Sequence, residues 1–516
     1  MSISAGKNGF SLGRVQTPTL SIICRRYIEN KEFKSVPYWK LEAMLDKDGI
    51  LWKAVSETTF ERRETAQSAV KAILADNITT DGHGCLSVVK VERKAVRTEP
   101  PLLYDLTTLQ KEANRKYSFS ADTTLSLAQS LYEKKLITYP RTGSRYIGDD
   151  VFEEISGLIE FSRDGFGFEN IVPEILRHEL NRRSVDASKV TDHHALLITD
   201  NKPEQLSANE DKIYRMIMAR MLEAFSETSQ KDVLTVTLRG VDVDFVLKAE
   251  KITFPGWKAV LNEKEEDEDK EVEFLPDFKE GENIRISSLE ETEHKTKPKP
   301  LFTEATILSA MENAGREIED GEVKKAMDGC GIGTPATRAN IIETLLLRKY
   351  IRREKKTLVP TDKGMTVYDI VKDKRIANAE MTGMWEPALA KIENRENDAA
   401  RFNQEIKDYT GQICTELLES SIVSKDNTEL LICPVCKNNS VKIYPKVAKC
   451  TSEGCEFRIF REVCGKMLTD KEVRSLITQG HTSTLKGLVS KAGKKFNAVL
   501  ILKEDGSTSF EFKNNK

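Results

Sequence analysis

Apolar and polar residues alternate with two different periods along this chain, and the changes of period divide it into blocks. The first helical pattern follows Thr17-Pro18. Threonine suits an N-cap, proline fits the first turn, and Leu20, Ile23, Cys24 and Tyr27 then fall on one side, which predicts a helix over residues 18–31. Residues 38–91 are mixed, with strand-like stretches at 39–45 and 86–91 around a helix near 66–74. Pro100-Pro101 marks a boundary, beyond which residues 105–117 and 120–135 read as helices and helix is expected to continue to about Glu227. Period two returns at 232–239, 242–248 and 283–289; these strands are expected to complete the sheet begun before residue 100, with the helical block inserted between. After a linker at 295–300, helices near 303–313 and 336–348 precede a basic hairpin pattern at 350–361, and the tail beyond about Leu430 reads as a separate small unit.

The length of 516 residues predicts three or four compact units. Hydrophobic residues make up 39% and charged residues 31%, and no apolar run approaches the 18 or so residues of a membrane span. The N-terminus has neither an apolar signal core nor a cleavage site, so a cytoplasmic protein is expected. With 79 basic against 82 acidic residues the net charge is −3, which excludes a globally basic nucleic-acid binder and confines any such contact to local patches. Candidate patches lie at 90–97, 348–356 and 486–495, against an acidic run at 263–269; a solvated surface explains any one of them alone. Of nine cysteines, Cys433, Cys436, Cys450, Cys455 and Cys464 crowd into the last fifth. Cys433-Pro-Val-Cys436, thirteen residues, then Cys450 to Cys455 gives two close pairs, the spacing that lets four thiolates meet one tetrahedral Zn2+. Thr469 and Glu472 form a capping-box pattern for a short helix beyond them.

In Thr138-Tyr-Pro-Arg-Thr142, Pro140 holds Tyr139 out of the α region, just past a helix in which Leu125, Ala128, Leu131, Tyr132 and Leu136 recur at helical spacing. A phenol at such a corner can reach a phosphodiester, and Arg141 can neutralise charge developing on the phosphoryl oxygens. On the local residues alone, a Tyr-Pro turn that merely packs its ring is the simpler reading. The wider pattern decides between them.

The segment Leu136-Ile-Thr-Tyr-Pro-Arg-Thr142 resembles the active-site segment of type IA DNA topoisomerases, particularly the topoisomerase III branch, with lead-in helices similar to 105–113 and 128–133. Upstream, Gly13-Arg-Val-Gln16 is similar to a family motif whose arginine and glutamine, matching Arg14 and Gln16, contact the gate strand. Downstream, Asp192-His-His-Ala195 resembles the segment whose histidine lies near the scissile phosphate, which implies catalytic His193 and DNA-binding His194. Gly331-Ile-Gly-Thr-Pro-Ala-Thr-Arg338 looks like the glycine-rich turn before a DNA-binding helix, which implies Thr334, Thr337 and Arg338 as contacts. Residues 488–502, basic with Phe496 among them, resemble the C-terminal topoisomerase repeat and suit single-stranded DNA. Gly143 departs from the many relatives that carry aspartate there.

The resemblance implies an α+β multidomain protein: a toroidal gate, with a helical domain inserted in a β-rich arch and a winged-helix-like domain, plus a C-terminal zinc ribbon. The expected divisions are 1–37 and 38–99 (start of the DNA-binding helical domain, then first part of the arch), 100–231 (helical gate), 232–297 (second part of the arch), 298–428 (winged-helix-like domain), 429–462 (ribbon) and 463–516 (repeat). Tyr139 would form a 5′-phosphotyrosine with single-stranded DNA, and strand passage and resealing would follow without ATP, in keeping with the missing Gly-x-x-x-x-Gly-Lys-Ser/Thr loop. Family members also carry a TOPRIM domain whose carboxylates serve acid/base work and Mg2+. The Asp-x-Asp candidates here, Asp46/Asp48, Asp242/Asp244 and Asp267/Asp269, lack its context, so TOPRIM is expected on another polypeptide or on a longer chain, and autonomous relaxation is expected to be weak. The competing expectation is a non-catalytic single-stranded-DNA-binding protein; relaxases are disfavoured because His193 and His194 are adjacent. Either way the setting implied is the cytoplasm, at the nucleoid.

Overall fold

The computed structural model describes residues 2–5, 8–76, 84–262, 272–314, 331–377, 385, 388–389, 392, 395, 398–419, 431–444, 446–490, 494–503 and 505–512. Two compact units divide it, the larger covering 9–420 and the smaller 421–516, with residues 1–4 counted in the larger and 5–8 in the smaller. The acidic run at 263–269 and Cys330 lie outside the described residues.

A short hairpin, β1 (Ser2–Ala5) and β2 (Asn8–Ser11), precedes helix α1 (Gln16–Glu32), the first helix of the larger unit. Strands β3 (Pro37–Lys47) and β4 (Ile50–Ser56), helix α2 (Arg63–Asp76) and strand β5 (Cys85–Thr98) follow. The chain then leaves the sheet for α3 (Leu106–Tyr117), α4 (Ala121–Glu133), α5 (Asp149–Phe161), α6 (Val172–Leu176) and α7 (Ala208–Phe225), and returns as β6 (Ser229–Gly240), β7 (Val243–Phe254) and β8 (Asn283–Lys295). All six long strands close into one antiparallel barrel in the order β3-β4-β7-β6-β5-β8. Strands on either side of the helical block therefore belong to one sheet. Alternation fills its interior: Leu41, Ala43 and Leu45 of β3 face Leu234, Val236 and Leu238 of β6 and Phe245, Leu247 and Ala249 of β7. Closure removes the free edges that long strands would otherwise expose.

The helical block is less continuous than its sequence suggests. Among the described residues, 177–206 hold no α-helix; Gly165, Gly167 and Pro203 interrupt the pattern, and the first two adopt positive φ. Its centre is α7, buried on nearly all sides from Ile213 to Phe225. Charges buried on α7 are paired. The Glu210 carboxylate accepts from Lys134 Nζ and Ser130 Oγ, both at 2.7 Å, and from the Ser207 amide at 2.8 Å, and these bonds, the one from Lys134 foremost, pull its pKa down from 4.5 to about 2. A depressed folded-state pKa gives stability that is complete above the unfolded value and lost as pH falls toward the folded one. Acid is therefore expected to weaken the helical block between about pH 4.5 and 2, and Glu210→Gln to flatten that slope in denaturant melts taken across the window.

Helix α8 (Glu304–Glu312), helix α9 (Pro335–Leu347) and a hairpin of β9 (Ile351–Glu354) with β10 (Thr357–Pro360) come next, then α10 (Asp362–Val371) and α11 (Ala399–Glu419). In the smaller unit, strands β11 (Leu431–Ile432), β12 (Asn439–Ile443), β13 (Val447–Cys450) and β14 (Arg458–Phe460) form one antiparallel sheet. A small pair, β15 (Glu462–Val463) with β16 (Lys466–Met467), leads to helix α12 (Asp470–Gln479), begun by the Thr469–Glu472 capping box. A last sheet holds β17 (Leu485–Val489), β18 (Lys495–Leu502) and β19 (Thr508–Glu511).

Candidate active site and metal centre

After α4 ends, Lys135 takes a positive φ and the chain turns into an extended segment. Ile137 bridges Ile198, the Thr138 amide donates to the Leu197 carbonyl at 3.0 Å, and the Leu197 amide donates back to Thr138 Oγ1 at 3.0 Å. Tyr139 is thereby held just beyond the helix end, half-buried, with buried Pro140 behind it. Its ring meets the edge of Tyr132 at 5.3 Å between centroids and lies 4.6 Å from the His193 ring. Arg141 is exposed two residues on. Thr142 is buried and ties the two segments together: its Oγ1 donates to the His193 carbonyl at 2.9 Å, while its own carbonyl accepts from the Leu106 amide at 3.1 Å. The His194 Nδ1–H donates to the Ala195 carbonyl at 2.7 Å, which turns that ring along its own backbone.

The other two motifs join this cluster. Gly331 (φ +60°) passes so close to the end of α8 that a Cβ would lie 2.6 Å from the Met311 carbonyl oxygen, and the next amide, of Ile332, donates to that carbonyl at 2.7 Å. Gly333 (φ +69°) packs beside Val15, so the Gly-Arg-Val-Gln and Gly-Ile-Gly segments touch. Gln16 is buried over Gly13 and accepts from Arg348, and the Arg14 guanidinium sits 5.9 Å from the centre of the Trp385 ring. Thr334 and Thr337 are exposed and cap α9 between them, with the Thr334 amide donating to Thr337 Oγ1 at 3.0 Å. Arg338 faces inward instead. It is 3% exposed, donates to Thr107 Oγ1 at 3.2 Å and to the Ile332 carbonyl at 3.3 Å, and lies 3.9 Å from Glu312. A Cβ on Gly143 would stand 3.3 Å from Pro335 Cγ, so an aspartate at this position would press the tyrosine loop against the start of α9.

The seam between the helical block and the α8–α9 unit is polar in a way the sequence does not signal. The buried Glu304 carboxylate accepts from the Ala121 amide, in the first turn of α4, at 2.7 Å, and from Arg353 Nε at 2.7 Å. In return Asn114 Oδ1 accepts from the Ala305 amide in the first turn of α8 at 3.1 Å. Each of two helix N-termini therefore lends an unpaired N–H to a side chain across the seam. Lys111 and Glu312 form a further ion pair there.

The metal that the resemblance adds to the tyrosine chemistry, magnesium, does not fit the Asp-x-Asp acids among the described residues, which leave out Asp267 and Asp269. Asp46 accepts from the Gly49 amide in a turn, Asp48 has a positive φ in that turn, and Asp244 is a two-point partner of Arg239 at 2.6 and 2.9 Å. Among the described residues, the one group of three or more metal-capable side chains is Cys433, Cys436, Cys450 and Cys455, whose sulfurs lie within 4.8 Å of one another. Two turns carry the pairs: Lys437 (φ +62°) brings the chain back after Cys436, and Gly454 (φ +79°) does so before Cys455. Cys433 and Cys455 are 3.8 Å apart and Cys436 and Cys450 3.6 Å. Four sulfurs at about 2.3 Å around a tetrahedral ion would stand about 3.8 Å apart, so these residues fit a Zn-type centre.

Residues 1–404 match the DNA topoisomerase family, and residues 454–513 match the C-terminal repeat of topoisomerase, which here begins inside the second cysteine turn. DNA topoisomerase 3 of Bacillus licheniformis is 34% identical over 450 residues, covering 84% of this chain and 60% of the relative. DNA topoisomerase 3 of Bacillus cereus (strain ATCC 14579) is 32% identical over 466 residues, covering 86% of this chain and 62% of the relative. The chain thus spans about three fifths of the length of these relatives. In fold it is similar to full-length topoisomerase I from Thermotoga maritima, with a TM-score of 0.61, 23% identity, and coverage of 99% of this chain and 72% of that one. No helix among the described residues is long and apolar enough to cross a membrane. With the family match extending over most of its length, the chain belongs to the type IA DNA topoisomerases, on the topoisomerase III branch.

Proposed function

We propose that this chain carries the strand-cleaving and strand-rejoining chemistry of a topoisomerase III, acting on single-stranded DNA without ATP. In this reading the Tyr139 phenol gives up its proton and its oxygen attacks a phosphodiester phosphorus. The bond to the 3′-oxygen breaks, that oxygen takes up a proton, and the 5′ side stays on Tyr139 as a phosphate ester. A second strand passes, and the 3′-hydroxyl reverses the step. Arg141 offsets charge on the phosphoryl oxygens and His193 flanks the phenol. Arg14, Thr334 and Thr337 serve as DNA contacts; Gln16, His194 and Arg338 act by holding the surrounding backbone in place. The proton donor for the 3′-oxygen comes from a TOPRIM domain outside these residues, on a longer chain or a separate polypeptide, and the setting is the nucleoid in the cytoplasm.

The observation that carries the reading is convergence: four motifs scattered between residues 13 and 338 meet around Tyr139 through the Val15–Gly333, Pro335–Gly143, Arg338–Thr107 and Thr142–His193 contacts. The test is covalent trapping. The full chain, supplied with the TOPRIM segment of a relative, is expected to retain a 3′-labelled oligonucleotide through denaturing electrophoresis, with the adduct mapping to the Tyr139 peptide. No adduct under those conditions overturns the reading.

We assign Zn2+ to the four-cysteine site, and part of the DNA contact to the sheet it holds. Lys442, Lys449 and Arg458 lie directly opposite one another across β12, β13 and β14. Tyr444 and Phe460 occupy the next same-face positions, and Phe460 is 62% exposed. Like charges in direct register disfavour the free sheet, whereas a polyanion with stackable bases suits such a row. Lys449→Glu with Arg458→Glu is expected to weaken oligonucleotide binding and to flatten its log–log salt dependence by about 0.7 for each phosphate that is no longer neutralised, measured by fluorescence anisotropy.

A further inference from the structure

Arg145 lies three residues beyond Thr142, at the far end of the tyrosine loop, and has no part in the chemistry above. Its half-buried guanidinium crosses to residues 102–106, the extended strap that leads into α3. Nε donates to the Leu103 carbonyl at 3.1 Å and Nη2 to the Leu102 carbonyl at 3.4 Å. Both partners of the ring pair hang from this strap. The Leu106 amide holds the Thr142 carbonyl at 3.1 Å, and the Leu196 amide donates to the Tyr104 carbonyl at 2.8 Å. A slip of the strap against the loop therefore pulls on the direct Thr142–His193 and Thr138–Leu197 bonds that set His193 against Tyr139.

The strap is gripped from its other side by Arg220 of α7. Its guanidinium lies 4.1 Å from the centre of the Tyr104 ring, reaches the Leu102 carbonyl at 3.5 Å, and pairs with Glu112 at 2.6 Å and Glu223 at 2.9 Å. Two guanidinium groups thus meet at one carbonyl in a poorly hydrated region, where burial pushes the Arg145 pKa down while nearby Asp105 opposes the shift. Neutral side chains could satisfy these carbonyls without that repulsion. A planar fork adds a two-point hold on successive carbonyls, which an ammonium cannot reproduce.

We propose that Arg145 is a positioning residue for the Tyr139 reaction: it locks the strap to the tyrosine loop and so keeps the phenol and the His193 imidazole in register. The proposal rests on Tyr139 being the nucleophile. Arg145→Lys keeps the charge and loses the fork, so it separates positioning from electrostatics. Two readouts on the full chain test it. The first is the NMR resonances of the His193 ring, identified by their absence in His193→Gln, which sense the Tyr139 ring 4.6 Å away. The second is the single-turnover rate of adduct formation beside oligonucleotide affinity, with the TOPRIM segment supplied. In Arg145→Lys the His193 resonances are expected to move and the adduct rate to fall by up to about 100-fold, with affinity and unfolding midpoint retained. Guanidinium added to Arg145→Gly is expected to restore part of the rate. Unmoved His193 resonances with a wild-type rate in folded Arg145→Lys overturn the proposal, as does a rate loss wholly accounted for by weaker binding. Failure of the Tyr139 reading is recognised separately, because then the unaltered chain also gives no adduct.

Discussion

Replacing Tyr139 by phenylalanine is expected to abolish the covalent adduct while leaving single-stranded DNA binding unchanged. The substitution removes one oxygen and keeps the ring that packs between Tyr132 and His193, so the fold should move by no more than about 0.5 kcal/mol in a denaturant melt. Tyr132 is the necessary control, since its ring is 5.3 Å away and 39% exposed. It projects from the last turn of α4, on the helix, whereas Tyr139 stands on the extended segment pinned by Thr138 and Thr142. Tyr132→Phe should therefore keep the adduct. The reverse outcome, an adduct that survives Tyr139→Phe and disappears in Tyr132→Phe, would move the nucleophile back onto the helix. A chain that binds DNA and never forms an adduct in either background would be a binding protein.

The elements around this site are legible where local chemistry dominates. A helix does start at Thr17-Pro18, but its first residue is Gln16 and its cap position is Val15, so Thr17 lies inside the first turn, where its Oγ1 accepts from the Gly13 amide; the capping pattern at Thr469 and Glu472 does start another helix, and alternation at 232–248 does give two paired strands. That the two strand sets share one sheet is legible too; their closure into a barrel and their register are not, because pairing between strands separated by more than 180 residues depends on that closure. The β3–β8 pairing that runs from Pro37↔Lys295 to Asp46↔Arg285 leaves no local mark. Glycine is the exception: Gly331 and Gly333 stand out within their motif, and their positive φ and tight neighbours explain why no side chain suits either place.

The polar groups that organise the site are the least visible. Arg220 and Glu223 sit in a run rich in methionine and isoleucine on a helix buried on nearly all sides, and a charged pair interrupting such a run is the signal that could single them out. Arg338 shows the opposite error of emphasis. Its motif suggests an outward DNA contact, yet its guanidinium lies buried against Thr107 and Ile332, where it joins α9 to α3. Asn114 and Glu304 give no warning at all, since capping across a seam requires two helix N-termini to meet in space.

Emptying the proposed zinc site is expected to unfold β11–β14 and to leave the larger unit intact. Strands of two to five residues form little ladder of their own, and Cys433 and Cys450 are themselves part of the apolar cluster with Leu431, Val441, Phe457 and Ile459. Without an ion, four thiols within 4.8 Å give that cluster no fixed centre; with Zn2+ bound as thiolates they supply folding free energy on the order of 10–16 kcal/mol at neutral pH. One Zn2+ per chain is the expected stoichiometry by elemental analysis. Because the ligands must be deprotonated, acid should release the ion with proton uptake by the thiols. Hydrogen exchange locates the effect. After chelation, or in Cys433→Ser, the amides of residues 433 and 455, bonded in the intact chain to the Asn438 and Ser452 carbonyls at 2.7 and 3.2 Å, should lose protection, while the Thr138 and Leu196 amides at the candidate active site keep theirs. Helix α12 provides the internal gradient: Val473 and Leu476 share the cluster with Leu431 and Val441, so its protection should fall less than that of the ribbon strands. Retention of protected ribbon amides in a metal-free chain, or absence of bound metal in a protein purified under reducing conditions, would show that this sheet stands on its apolar core alone.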